Sequence, residues 1–465
     1  MPDILAAQVT NQPIMEFSLN PGHSLGTIEL GSLLWNVLGI LRSEPATFKH
    51  VQICWEASKP ATGYLLLSIT SPPIRLLFEG VNQRLLLIEA YQSPSNEMKI
   101  GACPPLGDWV HYQNQPISQA IGPNEPGVTL RVIHRLFGPT YPPAPHTAHP
   151  NEMVVSYPGV TFSFRYEVLS RIILSVQPAG EGCKKDEGET VQLTEAYFKP
   201  KMPVHMSSID GDVRSAKINL GRMELEESTS ITFSFHSSSP NREIPDVNVT
   251  IGSSNSEDIL CEFGAPLRTF WKEDDRMNIH THLRSNGRSA GHPEDPNPYF
   301  MSYFNIGVDF LIDPITNLVL KVVLHSNIPG EVLFARYSRC PWSLRSMNQD
   351  SDVASSTDKA VHINQRIRSN FTHKEPENYA SGGVVDSGQL CESFNSRAFD
   401  GSPALRAPEA SSPISNIIEP AMLLDRTADV IDDGLVLRRP TRLHGHPGIV
   451  LEVTEDDDVE TVWLF

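Results

Sequence analysis

A short glycine-bounded serine segment is the first candidate for catalysis in this sequence. Residues 287–291 read Gly-Arg-Ser-Ala-Gly, the G-x-S-x-G spacing of a hydrolase nucleophile elbow, with Ser289 at the nucleophile position. That elbow needs a sharp turn between a buried strand and a helix, whereas the flanking residues are polar before the segment and rich in Pro after it. We interpret the segment as a loop. A hydrolase or small-ligand-binding protein that uses the Ser289 loop remains the alternative function.

Histidines stand two residues apart at two places, a spacing that puts both imidazoles on one side of an extended segment. His280 and His282, with His292 nearby, have no carboxylate or Cys at ligand spacing and lie around the same loop. We therefore prefer a solvent-facing strand end to a metal site. His444 and His446 lie at the mouth of a predicted hairpin, where turn chemistry accounts for them.

The acidic run 455–458 lies between two strand-like runs and lacks the Gly and the distal Glu of an EF-hand calcium loop. It is predicted to be a hairpin turn. The sequence contains no dinucleotide-binding glycine motif, P-loop lysine motif, H-E-x-x-H or protein kinase signature. We therefore assign no catalytic, cofactor-binding or metal-ligating residue, and we predict that the protein is not an enzyme and needs no cofactor.

The charge balance narrows the classes of partner. The 465 residues include 37 Lys and Arg against 55 Asp and Glu, a formal net charge of −18. That sign opposes binding to nucleic acid phosphates and unaided docking on anionic lipid. The N-terminus lacks the pattern of a secretory signal, no run approaches the length of a membrane span, and the six Cys are isolated. We expect a cytoplasmic protein with no nucleic acid partner.

Four pairs of alternating apolar runs, each pair split by a polar turn and opened by Gly or Pro, predict antiparallel hairpins with one buried face. The runs are 73–78 with 85–90, 159–164 with 172–176, 307–312 with 320–324, and 448–453 with 459–464. We expect Gly307 to need a small residue or an unusual φ, so that Gly307→Val damages the third hairpin.

A helix candidate precedes each hairpin, as expected because an isolated hairpin is marginal in water. The candidates are 30–41, 128–137, 254–264 and 390–394. In the third, Ser254 and Glu257 have capping-box spacing and Gly264 is the stop signal. The sequence thus predicts an α+β fold of repeated units, each a helix followed by antiparallel strands, with the helices packed on antiparallel sheets.

Shifts in composition predict the division of the chain. We place the first two units in 1–180 and the third in 215–344. The final strands, a fourth unit packing on the third, are placed in 421–465. Between them, 345–420 is rich in Ser, Asp, Asn and Gly with little periodicity, so it is predicted to be a mostly disordered insertion.

Two long blocks resemble a known family. Residues 74–89 read Ile-Arg-Leu-Leu-Phe-Glu-Gly-Val-Asn-Gln-Arg-Leu-Leu-Leu-Ile-Glu, and 299–313 read Tyr-Phe-Met-Ser-Tyr-Phe-Asn-Ile-Gly-Val-Asp-Phe-Leu-Ile-Asp. The first resembles the opening hairpin of the phagosome assembly factor family, with Glu79 a small departure, and the second resembles its most distinctive block. Further similar segments are 17–25, 256–266, 272–280, 321–330 and 337–340.

This resemblance implies a non-catalytic autophagy factor or scaffold that acts with a β-propeller (WD40-type) partner. It implies recruitment with that partner to forming autophagosomes at the phagophore assembly site, as a peripheral protein of the preautophagosomal structure and the autophagosome membrane. It also implies an association with phosphoinositides. Because a chain of net charge −18 without a basic cluster is repelled by an anionic leaflet, we expect the partner to supply most of the lipid contact.

Overall fold

The chain combines four β-sheets with few helices. The computed structural model describes residues 16–92, 104–123, 125–139, 142–145, 152–175, 212–221, 228–237, 244–271, 297–345, 352–371, 422–424 and 440–465. Within these residues there are five α-helices, and neighbouring strands are antiparallel except in two parallel pairs. The coarse prediction of an α+β fold is confirmed.

The first half of the chain builds two sheets around one core. Its elements are β1 (Phe17–Asn20), β2 (Ser24–Leu25), β3 (Ile28–Glu29), α1 (Leu34–Ser43), β4 (Lys49–Trp55), β5 (Leu65–Ser71), β6 (Ile74–Phe78), β7 (Leu85–Tyr91), α2 (Leu106–Trp109), β8 (Val110–Tyr112), β9 (Gln115–Pro116), the 3-10 turn Ile117–Ala120, α3 (Leu130–Phe137), β10 (Ala144–Pro145), β11 (Glu152–Tyr157), β12 (Val160–Arg165) and β13 (Val168–Ser175). The sheets have the orders β3-β2-β1-β8-β9 and β10-β11-β12-β13-β7-β6-β5-β4. Phe78, Trp109 and Phe162 are among the largest side chains of this core.

The second half repeats this plan around a second core. Its elements are β14 (Val213–Asn219), β15 (Ser230–Phe235), β16 (Val247–Thr250), α4 (Ser256–Phe263), β17 (Arg268–Trp271), β18 (Tyr299–Tyr303), β19 (Val308–Ile312), β20 (Val319–His325), β21 (Trp342–Arg345), β22 (Asp352–Ser355), α5 (Ala360–Phe371), β23 (Met422–Leu424), β24 (Thr441–His446), β25 (Ile449–Val453) and β26 (Val459–Leu464). The sheets have the orders β16-β15-β14-β21-β22 and β17-β18-β19-β20-β26-β25-β24-β23. Phe233, Phe310 and Trp342 fill this core.

Each eight-stranded sheet joins two meanders of four strands. In the first half, β4 to β7 meet β10 to β13 where β7 pairs with β13, and in the second half β17 to β20 meet β23 to β26 where β20 pairs with β26. The predicted hairpins are the pairs β6–β7, β12–β13, β19–β20 and β25–β26. A unit of one helix and one hairpin is not confirmed as such, because each hairpin is the second half of a longer meander.

The four hairpins share backbone details that alternation alone does not predict. The residue before the third strand of the meander is Pro73, Gly159, Gly307 or Gly448. The carbonyl of this residue accepts a hydrogen bond from a backbone amide at the end of the fourth strand of the same meander. In the same order, the donors are the amides of Tyr91, Ser175, His325 and Phe465. The register then shifts at the same place in every hairpin, after Leu77, Ser163, Leu311 and Glu452. All four hairpins thus place one irregularity of register at the same point, where a β-bulge would add one residue to a strand.

The ends of helix α4 show where local sequence signals were accurate. Gly264, with a φ of 76°, follows the helix as predicted. The N-cap is Asn255 rather than Ser254: its side-chain oxygen accepts hydrogen bonds from the backbone amides of Glu257 and Asp258, and the Asp258 carboxylate accepts one from the Asn255 amide. The capping box therefore lies one residue later than the spacing predicts, since an Asn and an Asp supply it.

Helix α5 lies inside the segment predicted to be mostly disordered. Of that segment, 352–371 form β22 and α5, and the helix buries Ala360, Ile363 and Ile367 in the second core. The helix predicted at 390–394 lies outside the described residues.

The acidic run is a hairpin turn, as predicted, and it holds the start of α5. The amide of Ala360 donates to the Asp457 carbonyl at 2.8 Å, and the amide of Val361 donates to the Asp457 carboxylate at 3.2 Å. Lys359 reaches the Asp458 carboxylate at 2.9 Å. A carboxylate at this end satisfies otherwise unpaired amides and favours the helix dipole.

Substituting Gly307 should destabilise the protein more than substituting a glycine of similar φ that has open space. Gly307 has a φ of 72°, and a Cβ built there would lie 2.2 Å from the Ser338 carbonyl oxygen. Gly252 has a φ of 76° and nothing within 4 Å of such a Cβ. We expect Gly252→Ala to cost about 1–2 kcal/mol from backbone strain alone. Gly307→Ala should lower the free energy of unfolding by clearly more than Gly252→Ala does, and Gly307→Val should lower it further. Urea unfolding measures the difference, and equal losses for the two Ala variants would contradict the close contact.

Candidate functional site

Most of the residues that the sequence offered for chemistry lie in a part of the chain that the structure does not describe. Ser289, His280, His282 and His292 lie outside the described residues, so the alternative function that uses the Ser289 loop stays a prediction. In the part of the chain that the structure describes, no group of three His, Cys, Asp or Glu side chains could hold a metal ion.

The second histidine pair has a structural partner. His444 and His446 lie in strand β24 rather than in a turn, which corrects the interpretation as turn chemistry. His446 Nε2 is 2.6 Å from the Asn364 side-chain oxygen, and the Asn364 amide nitrogen is 3.3 Å from His444 Nδ1. Burial lowers the pKa of His444, with Arg442 adding to the shift. Both imidazoles therefore bind the side chain of one residue of α5 to the sheet.

A groove on the second eight-stranded sheet is the strongest candidate for a functional site. Its volume is about 320 Å³, and it is bounded by strands β17 to β20, by β26 and by part of the chain that follows β20. Its lining combines aromatic and aliphatic side chains with a few polar ones, as ligand pockets do. The apolar members are Phe270, Phe300, Phe304, Val323, Leu333 and Trp463.

Three buried polar residues form the base of this groove. Tyr337 donates to Asp309 Oδ2 at 2.8 Å, and His325 Nε2 lies 2.9 Å from the same oxygen. An ionised carboxylate only accepts, so Nε2 carries the proton. The His325 and Tyr337 rings stack with centroids 3.6 Å apart. Burial raises the pKa of Tyr337 well above its usual range, and the charge and hydrogen bond of Asp309 add to the shift. The phenol therefore remains a donor at any physiological pH.

This arrangement lacks the geometry of a catalytic relay. A Ser-His-Asp triad needs a nucleophile hydroxyl on the second ring nitrogen of the histidine. Among the described residues, His325 Nδ1 is buried and has no hydrogen-bond partner, and the same holds for Asp309 Oδ1. The trio is thus a hydrogen-bonded support for the groove.

A second feature, the contact between the two halves, lies beside the groove. The chain between β20 and β21, residues 326–341, contacts the first half, and we name it the crossing segment. Arg339 within it donates to the carbonyls of Ala61, Gly80 and Val81 at 2.6, 2.5 and 3.1 Å. Ala335 of the same segment belongs to the core of the first half.

Amide and ion-pair contacts complete this junction. The Gln83 side chain donates to the Asn327 carbonyl at 2.9 Å and accepts from the Asn327 side chain at 2.6 Å. Arg84 donates to the Gly31 carbonyl at 2.9 Å and pairs with Asp212 at 3.0 Å. Gln83, Arg84 and Asn327 are almost fully buried, so these contacts fix the relative placement of the halves.

Comparison with known proteins identifies the family. The model of the family described as phagosome assembly factor 1 matches residues 24–465. The chain belongs to the phagosome assembly factor 1 family. A Caenorhabditis elegans protein of this family is 27% identical over 371 residues, which cover 72% of this chain and 81% of the relative. A Drosophila melanogaster relative is 24% identical, covering 76% and 80%, and one from Arabidopsis thaliana is 22% identical, covering 70% and 73%. No solved structure matches the chain.

The segments that carry the family resemblance meet at the junction and the groove. Gln83 and Arg84 belong to the 74–89 block, Asn327 to the 321–330 segment and Arg339 to the 337–340 segment. The groove was not predicted as a site, because Asp309 and His325 are isolated polar residues in otherwise apolar strands and Tyr337 lies far from both in the sequence. The available signal was the outward-facing position of Asp309 in β19.

Tyr337→Phe should destabilise the protein because it removes a buried donor from Asp309. The expected loss is about 1–3 kcal/mol, since a buried acceptor that loses a donor keeps its desolvation penalty. Tyr299→Phe is the matched control: Tyr299 lies in β18 and packs against the second core. That control should stay within about 0.5 kcal/mol of the parent. Urea midpoints at unchanged slope measure both, and a Tyr337→Phe variant as stable as the control would show that the hydrogen bond contributes nothing.

Proposed function

We propose that this chain is a non-catalytic factor of phagosome and autophagosome assembly. The observation that carries the proposal is the match of a family described as phagosome assembly factor 1 to residues 24–465. The groove geometry supports it, because the His325 ring has no nucleophile bonded to it among the described residues. An assembly factor needs a rigid platform, and the buried contacts between the two halves provide one.

We further propose that the factor acts with a β-propeller partner and is recruited with it from the cytoplasm to the phagophore. The net charge of the chain supports the proposal that the partner, rather than this chain, makes most of the contact with the membrane. With a net charge of −18, this chain is repelled by an anionic leaflet, so the partner supplies most of the phosphoinositide contact. In the part of the chain that the structure describes, no helix is long and apolar enough to cross a bilayer.

We also propose that the four meanders are copies of one unit. In each copy a helix, α1, α3, α4 or α5, precedes the four strands, and the hairpins share the hydrogen bond to the carbonyl of the opening residue and the register shift described above. The copies carry different side chains at corresponding positions. Asp309 and His325 of the third copy correspond to Arg75 and Tyr91 of the first, where the guanidinium lies 4.4 Å from the ring centroid. The buried acid and imidazole are therefore a specialisation of the third copy.

A β-propeller protein should co-purify with the tagged full chain, and its recovery should rise after starvation. Affinity purification from fed and starved cells, followed by mass spectrometry, measures this. The Gly307→Val chain is the control for dependence on the folded second half, and it should recover less of the partner. Recovery of no propeller protein from either condition would refute the proposed partnership.

The purified chain alone should remain in the supernatant when sedimented with vesicles that contain phosphatidylinositol 3-phosphate at physiological salt. Addition of the co-purified propeller protein should bring the chain into the pellet. The reason is the net charge of −18, which disfavours direct contact with an anionic surface. Sedimentation of the chain by itself would show that the lipid contact is direct.

A further inference from the structure

We propose that the groove of the second half binds an extended peptide segment that adds as a strand beside β17. The segment presents a carboxylate and a large apolar side chain on one face, two residues apart. This inference goes beyond the proposed function, which assigns no binding face. Three features of the described residues carry it: the shape of the groove, the edge position of β17 and the charges at the rim.

The groove is shaped for apolar side chains. A volume of about 320 Å³ holds one or two large side chains, and the lining is mostly aromatic and aliphatic. Phe300 and Trp463 are only half-buried, and Phe270 is 49% exposed. Exposed aromatic surface in the wall of a groove is better stabilised by contact with an apolar side chain of a binding partner than by contact with water.

Strand β17 supplies the backbone for the added strand. Among the described strands it stands at the end of its sheet and pairs only with β18. All four of its residues are exposed. Arg268 and Phe270 both line the groove, as expected for residues two apart on one face of a strand. A peptide that pairs with this edge gains main-chain hydrogen bonds, and its alternate side chains enter the groove next to those two residues.

The rim charges select an acidic peptide. Arg268 and Arg336 line the groove, and neither guanidinium has an ion-pair partner among the described residues. The carboxylate of Asp309 lies at the base, where it is 7% exposed and already accepts from two donors. Two cations that have no ion-pair partner within the described ranges are a local exception in a chain of net charge −18. A carboxylate placed opposite Arg268, with its apolar neighbour two residues away opposite Phe270, matches this pattern.

A membrane fits the same surface less well than a peptide does. Two basic side chains contribute about 2 kcal/mol near an anionic surface, less than the polybasic clusters that anchor proteins to lipid. The groove is also concave, so a flat bilayer reaches only its rim. The peptide uses the groove, the edge strand and the charges together.

The test uses the purified full chain and fluorescence anisotropy with labelled synthetic peptides. The probe alternates Glu and Phe with Thr spacers, so that Glu and Phe share one face of a strand. A control peptide of the same composition moves Glu by one position, to the opposite face, and a second replaces Glu with Lys. We expect the probe to bind with a Kd below ~1 mM and each control to bind at least about tenfold more weakly. No binding of the probe at that concentration, or equal binding of all three peptides, overturns the proposal.

Variants of exposed residues locate the site without disturbing the fold. Phe270→Ala should weaken probe binding about tenfold, and Arg268→Glu should reverse the preference, so that the Lys peptide binds better than the Glu probe. Ile315→Ala is the matched control, because Ile315 is 64% exposed in the turn between β19 and β20 and should leave binding unchanged. Equal effects of Phe270→Ala and Ile315→Ala would overturn the site.

Vesicles of phosphatidylcholine and phosphatidylserine form the last arm. The proposal would be overturned if the chain sedimented with these vesicles, lost that sedimentation in the Arg268→Glu variant, and did not bind the probe peptide. The groove would then be a contact for a lipid surface. This experiment contains no propeller protein, so its failure leaves the proposed assembly function untouched, and failure of the co-purification leaves the peptide site untouched.

Discussion

The placement of the two halves depends on one buried cation. Arg339 is only 6% exposed, and its guanidinium donates to three carbonyls of the first half and to the Ser326 carbonyl of its own segment. Burial lowers its pKa to about 10, while Asp458 and Glu79 act in the opposite direction, so the side chain stays charged at neutral pH. A charge removed from water costs several kcal/mol unless hydrogen bonds replace its hydration. The carbonyls replace that hydration at Nε and Nη1, although the buried Nη2 has no hydrogen-bond partner among the described residues, and the Nη1 contacts form only when 61, 80 and 81 converge on the crossing segment. Any shift of one half against the other would therefore leave a buried charge unpaired.

The same constraint extends to the groove, because the crossing segment takes part in both. Asn327, Ala335 and Arg339 contact the first half, while Leu333, Arg336 and Tyr337 form one wall of the groove. Residues that contact the first half thus alternate along the crossing segment with residues that line the groove. Ala335 and Asn327 have φ values of 63° and 48°, a backbone region that non-glycine residues rarely adopt. The amide of Ala335 donates to the Asn327 side chain at 2.7 Å, which holds this turn in place. The crossing segment forms this wall of the groove without belonging to a β-sheet, and its contacts with the first half hold it in place.

Sequence reasoning succeeded where structure is set by neighbours along the chain. Alternation located all four hairpins, and Gly264 marked the end of α4, because pleat and left-handed turns are local properties. It failed at α5, whose described side chains bury three apolar residues, Ala360, Ile363 and Ile367, and whose first amides bind Asp457 in a hairpin distant in the sequence. A polar segment with so few apolar residues resembles a disordered one until its partner is known. The junction and the groove failed for the same reason: Arg339, Gln83 and Asp309 acquire their roles only from residues far away in the chain.

The outer face of the first eight-stranded sheet carries a different arrangement of charges from the groove of the second half. There Glu89 is fully buried between Arg75 and Arg171, at 3.4 and 3.6 Å, and Arg171 also pairs with Glu152. Burial raises the pKa of Glu89, although both arginines act in the opposite direction. These charges satisfy one another across neighbouring strands and close that surface with a ladder of ion pairs. On the second sheet Asp309 and His325 bind each other and Tyr337, and among the described residues Arg268 and Arg336 at the rim of the groove have no carboxylate partner. One backbone plan thus carries one face whose charged side chains pair with one another and another face with two arginines at the rim of its groove.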